Sequence, residues 1–343
     1  LAHSGNVRKR VQISRRAAVA GLGSDPYLRR NFGDDSGARC GCRPRARAIS
    51  PFGTRLFLPF SRAFAAMGGV LASAFALGAS PSAAPAQQAP IVLAPHRAIY
   101  DLSLAYTRGN SQIEAVRGRI VYDFDGSACS GYTLGFRQVS LVDNGEGKVS
   151  TSDLRSTTWE GGDAKSFTFK SQNFLNEDLI DTVDGRADRR AKITVVDLQK
   201  PQRRKLRLGP EVVFPTEHMV RAVQAGRAGT TILSFPIYDG SDSGDKVFNT
   251  LTVVGKTIMP GARVADDAAG KEPKLAAMPR WPVTISYFAK DKTQQSGEQT
   301  PDYAISFELY QNGISRALML DYNDFVVRGT LTSLELKQPK PCP

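Results

Sequence analysis

Histidine is scarce in this chain: three residues in 343, of which only His96 and His218 follow residue 86. No His-x-x-x-His pair and no Cys/His cluster occurs, so a protein metal site has no candidate ligands. The motif G-x-S-x-G is missing as well. Its nearest relative, Gly240-Ser-Asp-Ser-Gly244, carries the wrong central residue for a serine hydrolase. Cys-x-x-Cys is absent, which removes a redox-catalytic pair. Gly255-Lys256-Thr257 resembles the end of a phosphate loop, but Thr250 stands where the earlier glycine is required. Asp239, Asp242 and Asp245 miss the spacing and the distal Glu of a calcium loop, and read as a solvated hairpin loop. The expectation is a non-enzymatic protein with no catalytic residue, no cofactor and no metal.

Long hydrophobic runs are also few. Residues 63–78 form an apolar stretch of 16 residues rich in Gly and Ala. That falls short of the roughly 20 residues a stable membrane span needs. Arg55 and Arg62 precede it, and Ala79-Ser-Pro-Ser-Ala-Ala84-Pro85-Ala86 follows. Basic, apolar and small-residue regions in that order make a secretory signal over residues 51–86, cleaved near Ala86. Residues 1–50 are an Arg-rich lead-in without a sustained helical or strand period, and are expected to be no part of the mature protein. Leu1 in place of Met fits a start site assigned upstream of the true one, the favoured reading, or translation from a non-standard start codon. Residues 87–343, about 257 in all, then form a single domain in the periplasm.

The formal charge of +12 suggests a nucleic-acid partner until it is divided. Residues 1–86 hold 13 Lys/Arg against 3 Asp/Glu, and residues 87–343 hold 32 against 30. A near-neutral domain has no global field to concentrate a polyanion, so no nucleic acid is expected. The run Arg203-Arg204-Lys205-Leu206-Arg207 is a local patch on a strand-like segment. It reads as a solvated strand face, with an acidic partner or an anionic head group as the sharper alternative.

Export changes the meaning of the cysteines. Cys40 and Cys42 precede the signal, which leaves Cys129 and Cys342. An even pair in an oxidising compartment reads as a disulfide; free thiols and an intermolecular bridge are the alternatives.

What the domain does contain is period-two alternation. Strand-like segments cover 98–106, 113–124, 132–142, 149–159, 165–171, 179–183, 191–198, 231–238, 247–254, 283–289, 303–310, 314–320 and 325–336. Turn signals separate them, Asp184-Gly and Asn312-Gly among them. This is an all-β, mainly antiparallel pattern of sheet, sandwich or barrel type, with about 13–14 strands. One amphipathic helix stands near 216–225, with Thr216 as N-cap and Gly226 as its stop, suited to plug the open end of a curved sheet. Residues 260–281 read as an extended loop.

Four stretches carry a family likeness: Leu93-Ala-Pro-His-Arg-Ala-Ile-Tyr-Asp-Leu102, Phe214-Pro-Thr-Glu-His218, Phe235-Pro-Ile-Tyr-Asp-Gly-Ser241 and Phe307-Glu-Leu-Tyr-Gln-Asn-Gly313. Together with the two-cysteine layout they resemble the EipB family of periplasmic cell-envelope integrity proteins. The resemblance implies a β-spiral, a strongly bent antiparallel sheet or open barrel around a helix. It also implies an intramolecular Cys129–Cys342 bridge and a role in envelope integrity, with no established catalytic residues to carry over. The export signal, the β pattern and the missing catalytic set add the expectation that the chain acts by binding an envelope protein, lipid or glycan component. A monomer, peripheral to the membrane at most, is expected. Curved sheets of this kind are similar to LolA- and LolB-like carriers. That fold-level analogy supplies the second expectation, a lipid or lipoprotein carrier with an apolar cavity. An envelope-polymer hydrolase comes third.

Overall fold

The computed structural model describes residues 89–109, 111–145, 147–262, 266–289, 299–339 and 342. The lead-in, the signal segment, Cys40 and Cys42 lie outside the described residues.

From Pro90 onward the chain forms one open antiparallel sheet. In chain order its strands are β1 (His96–Thr107), β2 (Ala115–Ser127), β3 (Gly131–Asp143), β4 (Val149–Glu160), β5 (Ser166–Leu175), β6 (Asp178–Arg190), β7 (Ile193–Lys200) and β8 (Arg204–Leu208). A helix, α1 (Pro215–Ala228), follows, and then β9 (Ile232–Ile237), β10 (Phe248–Val254), a short helix α2 (Pro273–Ala276), β11 (Arg280–Ala289), β12 (Tyr303–Tyr310), β13 (Ser315–Asp321) and β14 (Phe325–Leu336). The spatial order is β8-β7-β6-β5-β4-β3-β2-β1-β14-β13-β12-β11-β10-β9. Two meanders therefore join at the β1–β14 pair, which brings the start and the end of the domain together at mid-sheet.

The expected alternation sets the inner face. In β1, His96, Ala98, Tyr100 and Leu102 are buried and Arg97 and Ser103 are exposed. The pattern breaks after Leu104, where a bulge shifts the register, and Tyr106 turns outward beneath the Arg108 guanidinium. The sheet is strongly bent, as contacts between strands remote in sheet order show. Phe214 stacks on Phe167 of β5 at 5.2 Å, and Tyr238, just past β9, meets Phe169 edge-on at 5.6 Å. These rings and Val183, Ala187, Val196 and Leu198 make a second core beside the main one. The edges β8 and β9 share no ladder among the described residues; one parallel bridge, Val213 to Ile237, links the segment after β8 to β9.

Four local readings change. Asp184-Gly185 is no turn: β6 runs through it, with a register shift against β7. Gly185 is needed because a Cβ there would stand 2.6 Å from the Phe169 ring. The helix begins at Pro215 with Phe214 as N-cap, so Thr216 lies inside its first turn. Its stop is Gly229, in the left-handed conformation at φ 71°, and Gly226 lies within the helix. The 260–281 stretch is more than a loop: it contains α2, and buried Asp267 pairs with Arg316 of β13 at 2.7 Å.

The helix occupies the sheet interior, with Ala222, Val223 and Ala225 in the main core and Met219 and Val220 packed against it. Gly226 sets how closely it can lie, because a Cβ there would stand 2.5 Å from the Trp281 ring. Cys129, in the β2–β3 turn, is bonded to Cys342 with Cα atoms 5.6 Å apart, closing a separation of 213 residues. Loop-closure entropy assigns such a bridge about 5 kcal/mol.

Two outcomes follow. In an ordinary helix interior Gly→Ala gains up to about 1 kcal/mol. Gly226→Ala instead lowers unfolding free energy by about 1–3 kcal/mol through overpacking on Trp281, measured by urea denaturation. Cys129→Ser lowers the melting temperature to that of the reduced wild type, and reductant then has no further effect on the variant.

Candidate functional site

The helix is held by charge at its N-terminus. The first N–H groups of a helix have no partner of their own. Glu160, the last residue of β4 and 2% exposed, supplies one from the sheet. Its Oε2 accepts the Thr216 N–H at 2.7 Å and its Oε1 accepts the Glu217 N–H at 2.8 Å. Burial pushes its carboxyl up to about 7, against the pull of those two N–H groups. Glu217 is gripped in turn by Arg189 of β6 at 2.7 Å and by Arg221 at 2.6 Å. Arg189 also donates to the Val212 carbonyl and lies over the Phe214 ring at 4.8 Å.

The loop after β9, read from sequence as solvated, is buried. Gly240 lies against the Phe169 ring, and Gly244 against Leu198 and Val183. Asp239, Ser241 and Asp242 are each at most 5% exposed. Asp239 Oδ1 accepts the Ser241 N–H at 2.9 Å, while among the described residues its Oδ2 and the Tyr287 hydroxyl find no hydrogen-bond partner. Burial pushes Asp239 up to about 7. Asp242 pairs with Lys246 at 3.1 Å and Asp245 with Arg204 at 3.0 Å. Among the described residues no three His, Cys, Asp or Glu side chains gather as a metal site would require.

Both histidines are core residues. His96 stacks on Tyr122 at 5.5 Å, and His218 shares a 2.8 Å hydrogen bond with the Thr252 hydroxyl. Burial lowers each to about 4. His218 thus meets a threonine and not a serine placed beside a carboxylate, so the pieces of a hydrolase are not brought together there.

A cleft lies where the two ends of the domain meet. Residues 90–95 run alongside the β12–β13 turn, with Ala94 N–H donating to the Asn312 carbonyl at 2.8 Å. Gly313, at φ 84°, leaves room for Leu93. The tail lies across from it, Lys337 N–H donating to the Pro95 carbonyl at 2.9 Å. Between them is a cleft of about 370 Å³ with Val92, Leu93, Met278 and Leu336 in its apolar lining. Arg227, Lys274 and Lys337 supply its charge. Lys337 is engaged by Asp123 and Asp125. Sequence reasoning missed this cleft. Arg227 lay beyond the expected helix end, and Lys274 and Met278 fell in the stretch taken for a loop. Cys342 follows the tail segment that forms one wall, so the bridge to Cys129 anchors that wall at its far end.

Comparison with known proteins agrees with this architecture. The model of the EipB-like family matches residues 87–338. The chain is 42% identical over 244 residues to the cell envelope integrity protein EipB of Brucella abortus (strain 2308), covering 71% of this chain and 84% of that protein. It is also similar to a crystal structure from Brucella abortus described as a β-barrel-like protein of the domain of unknown function DUF1849. That likeness has a TM-score of 0.67 and 41% identity, over 72% of this chain and 100% of the other.

The buried groups set the pH response. Glu160 and Asp239 have folded values near 7, above their unfolded 4.5 and 3.8, so their contribution is full below the unfolded values and declines as pH rises toward 7. His96 and His218 have folded values near 4, below the unfolded 6.5, so their contribution is full above 6.5 and declines as pH falls toward 4. The slopes oppose, and the wild type is expected to change little in stability between about pH 5 and 6.5. Glu160→Gln removes one carboxylate slope. Its unfolding free energy then rises with pH over that window, as guanidinium titrations at the two ends would record. Glu160→Ala strands two helix N–H groups and costs about 2–4 kcal/mol.

Proposed function

The chain belongs to the EipB-like family, and on that premise we propose that it is a non-catalytic, exported protein that supports cell-envelope integrity by binding an envelope component. The observation that carries this reading is the contrast between the interior and the cleft. The interior is filled by α1 and by side chains, with the buried Glu160 carboxyl taken up by two helix N–H groups and Glu217 paired with Arg189. The cleft at the domain ends is open, apolar and bordered by cations, within the size range of small-molecule sites.

A filled interior weighs against a carrier that lodges an acyl chain inside the curved sheet. Binding at the cleft keeps the carrier idea and moves its place. No helix among the described residues is long and apolar enough to cross a membrane. Export rests on the basic, apolar and small-residue order of residues 51–86.

A deletion strain tests the reading. Loss of the gene is expected to sensitise cells to bile-salt detergent, and the full chain supplied in trans to restore resistance. Sequencing the exported protein from the complemented strain should give a first residue at or near Gln87. Unchanged detergent resistance in the deletion strain, or a first residue well before Ala79, overturns it.

A further inference from the structure

We propose that the outer face of β14, β1, β2, β3 and β4 is a docking surface for a bilayer rich in anionic phospholipid. None of the arginines that form it lines the cleft, so it is a second surface, separate from the one above.

Strand register assembles the charge. These five strands are neighbours, and their pairing aligns outward side chains in rows. In one row Arg328 faces Ser103, Ser103 faces Arg117, and Arg117 faces Leu141. In the next Asp101 faces Arg119, and in the third Arg137 faces Arg155. The core takes the alternate residues of the same strands, Tyr100, Leu102 and Ile120 among them. Across the five strands the three rows hold five arginines against two aspartates, Asp101 and Asp153, a net +3. All of residues 87–343, with 32 Lys/Arg against 30 Asp/Glu, carry only +2. One face therefore holds more than the whole excess of the domain.

The two aspartates do not balance it. Asp101 pairs with Arg119 at 2.8 Å, and Asp153 is shared by Arg137 at 2.9 Å and Arg155 at 2.7 Å. Like charges directly opposite each other weaken a strand pair, and here one carboxylate serves two guanidinium groups. Arg117 and Arg328 are exposed and have no carboxylate partner among the described residues. They stand on either side of Ser103, with their Cα atoms about 10 Å apart by strand spacing. Asp143 bounds the face further along β3, where its Oδ1 accepts the Gly145 N–H at 2.9 Å.

The setting favours a bilayer over an acidic protein. Leu141, beside Arg117, is 44% exposed, and half-buried Met319 of β13 lies beside Arg328. Apolar side chains level with arginines suit the head-group region, where carbon stems lie shallow and guanidinium forks reach phosphate. The outer face of a bent sheet is convex, so only a few adjacent strands can lie against a plane, and the five arginines fall within five. All five are internal strands with no free edge for a peptide to extend. An acidic protein would need carboxylates placed opposite these arginines, whereas anionic lipids diffuse into whatever pattern meets them.

Co-sedimentation of the exported chain with vesicles tests this. One set is phosphatidylcholine and phosphatidylglycerol in equal parts, the other phosphatidylcholine alone. The chain is expected to sediment with the mixed vesicles at low ionic strength, to stay in solution with the zwitterionic ones, and to be released by high salt. Arg117→Ser and Arg328→Ser are each expected to weaken binding about fivefold. Neither costs an ion pair among the described residues, so melting temperatures should match the wild type. Lys205→Ser, at the β8 edge, is expected to leave binding unchanged. A wild type that sediments with both vesicle sets or with neither overturns the proposal. So does a Lys205→Ser variant weakened as much as Arg117→Ser. Polyglutamate bound by the wild type and lost in Arg117→Ser, with no vesicle binding, gives the face to an acidic protein and overturns the bilayer assignment. Vesicle binding is read without cells, so its failure leaves the envelope-integrity reading standing. Unchanged detergent resistance in the deletion strain likewise leaves the docking surface standing.

Discussion

The contact between Glu160 and the first turn of α1 is the constraint on which the rest of the architecture turns. A helix inside a bent sheet has its N-terminal N–H groups shielded from water, and each would cost about 1–3 kcal/mol if left without a partner. The N-cap residue Phe214 has no side-chain oxygen to offer, and Pro215 removes one donor altogether. The acceptor therefore comes from β4, at least half the sheet away from β9, β10 and β11, the strands α1 packs on. Satisfying the helix and bending the sheet become one event. Arg189 of β6, bound to Glu217, repeats the link one pair of strands further along. At the other end the chain supplies its own acceptors, with Gly229 and Thr230 N–H groups turned back to the Gly226 and Ala225 carbonyls.

An open sheet of this length has two edges that could pair with another chain. The β8 edge carries exposed Arg204, Lys205 and Arg207, whose charge opposes docking of a further strand. The β9 edge contains Pro236, which has no N–H to donate, and the Val213 segment already occupies the Pro236 carbonyl and the Tyr238 N–H. The basic run that the sequence offered as a patch is thus a guarded edge. That role needs no ligand.

Strand identity was legible because burial on one face forces a period of two, and nearly every segment found that way is a strand in the structure. The helix was legible from Met219, Val220 and Val223 on one face. Its limits were not, because Gly226 has two physical uses. Glycine ends helices, and glycine also admits a ring, here that of Trp281. Asp184-Gly185 misled for the same reason, its glycine making space for Phe169 within a continuous strand. The Asp239–Asp245 loop misled through its charge. Asp239 and Asp242 have partners close in sequence, Ser241 and Lys246, while Asp245 pairs with distant Arg204, and only tertiary structure shows that these partners are in place. Glu160 gave no local signal at all, since its partner lies 56 residues away.

The distribution of polarity bears on function more than any single residue. Enzymes place their shifted carboxylates and histidines in contact with a substrate space. In this chain Glu160, Asp239, His96 and His218, which burial shifts to about 7 or about 4, sit in the packed interior, and two of them hold elements in place: Glu160 seats α1, and Asp239 orders its own loop. The cleft has the opposite character, apolar walls with cations and no enclosed acid. Its walls come from the start of the domain, the β12–β13 turn, the end of α1, the α2 region and the tail. Those segments meet because β1 pairs with β14, and that pairing is fixed by the topology before any side chain in the cleft is chosen. The fold therefore supplies a preformed recess whose lining, Val92 and Lys274 included, stands apart from the helix seat that keeps the sheet bent.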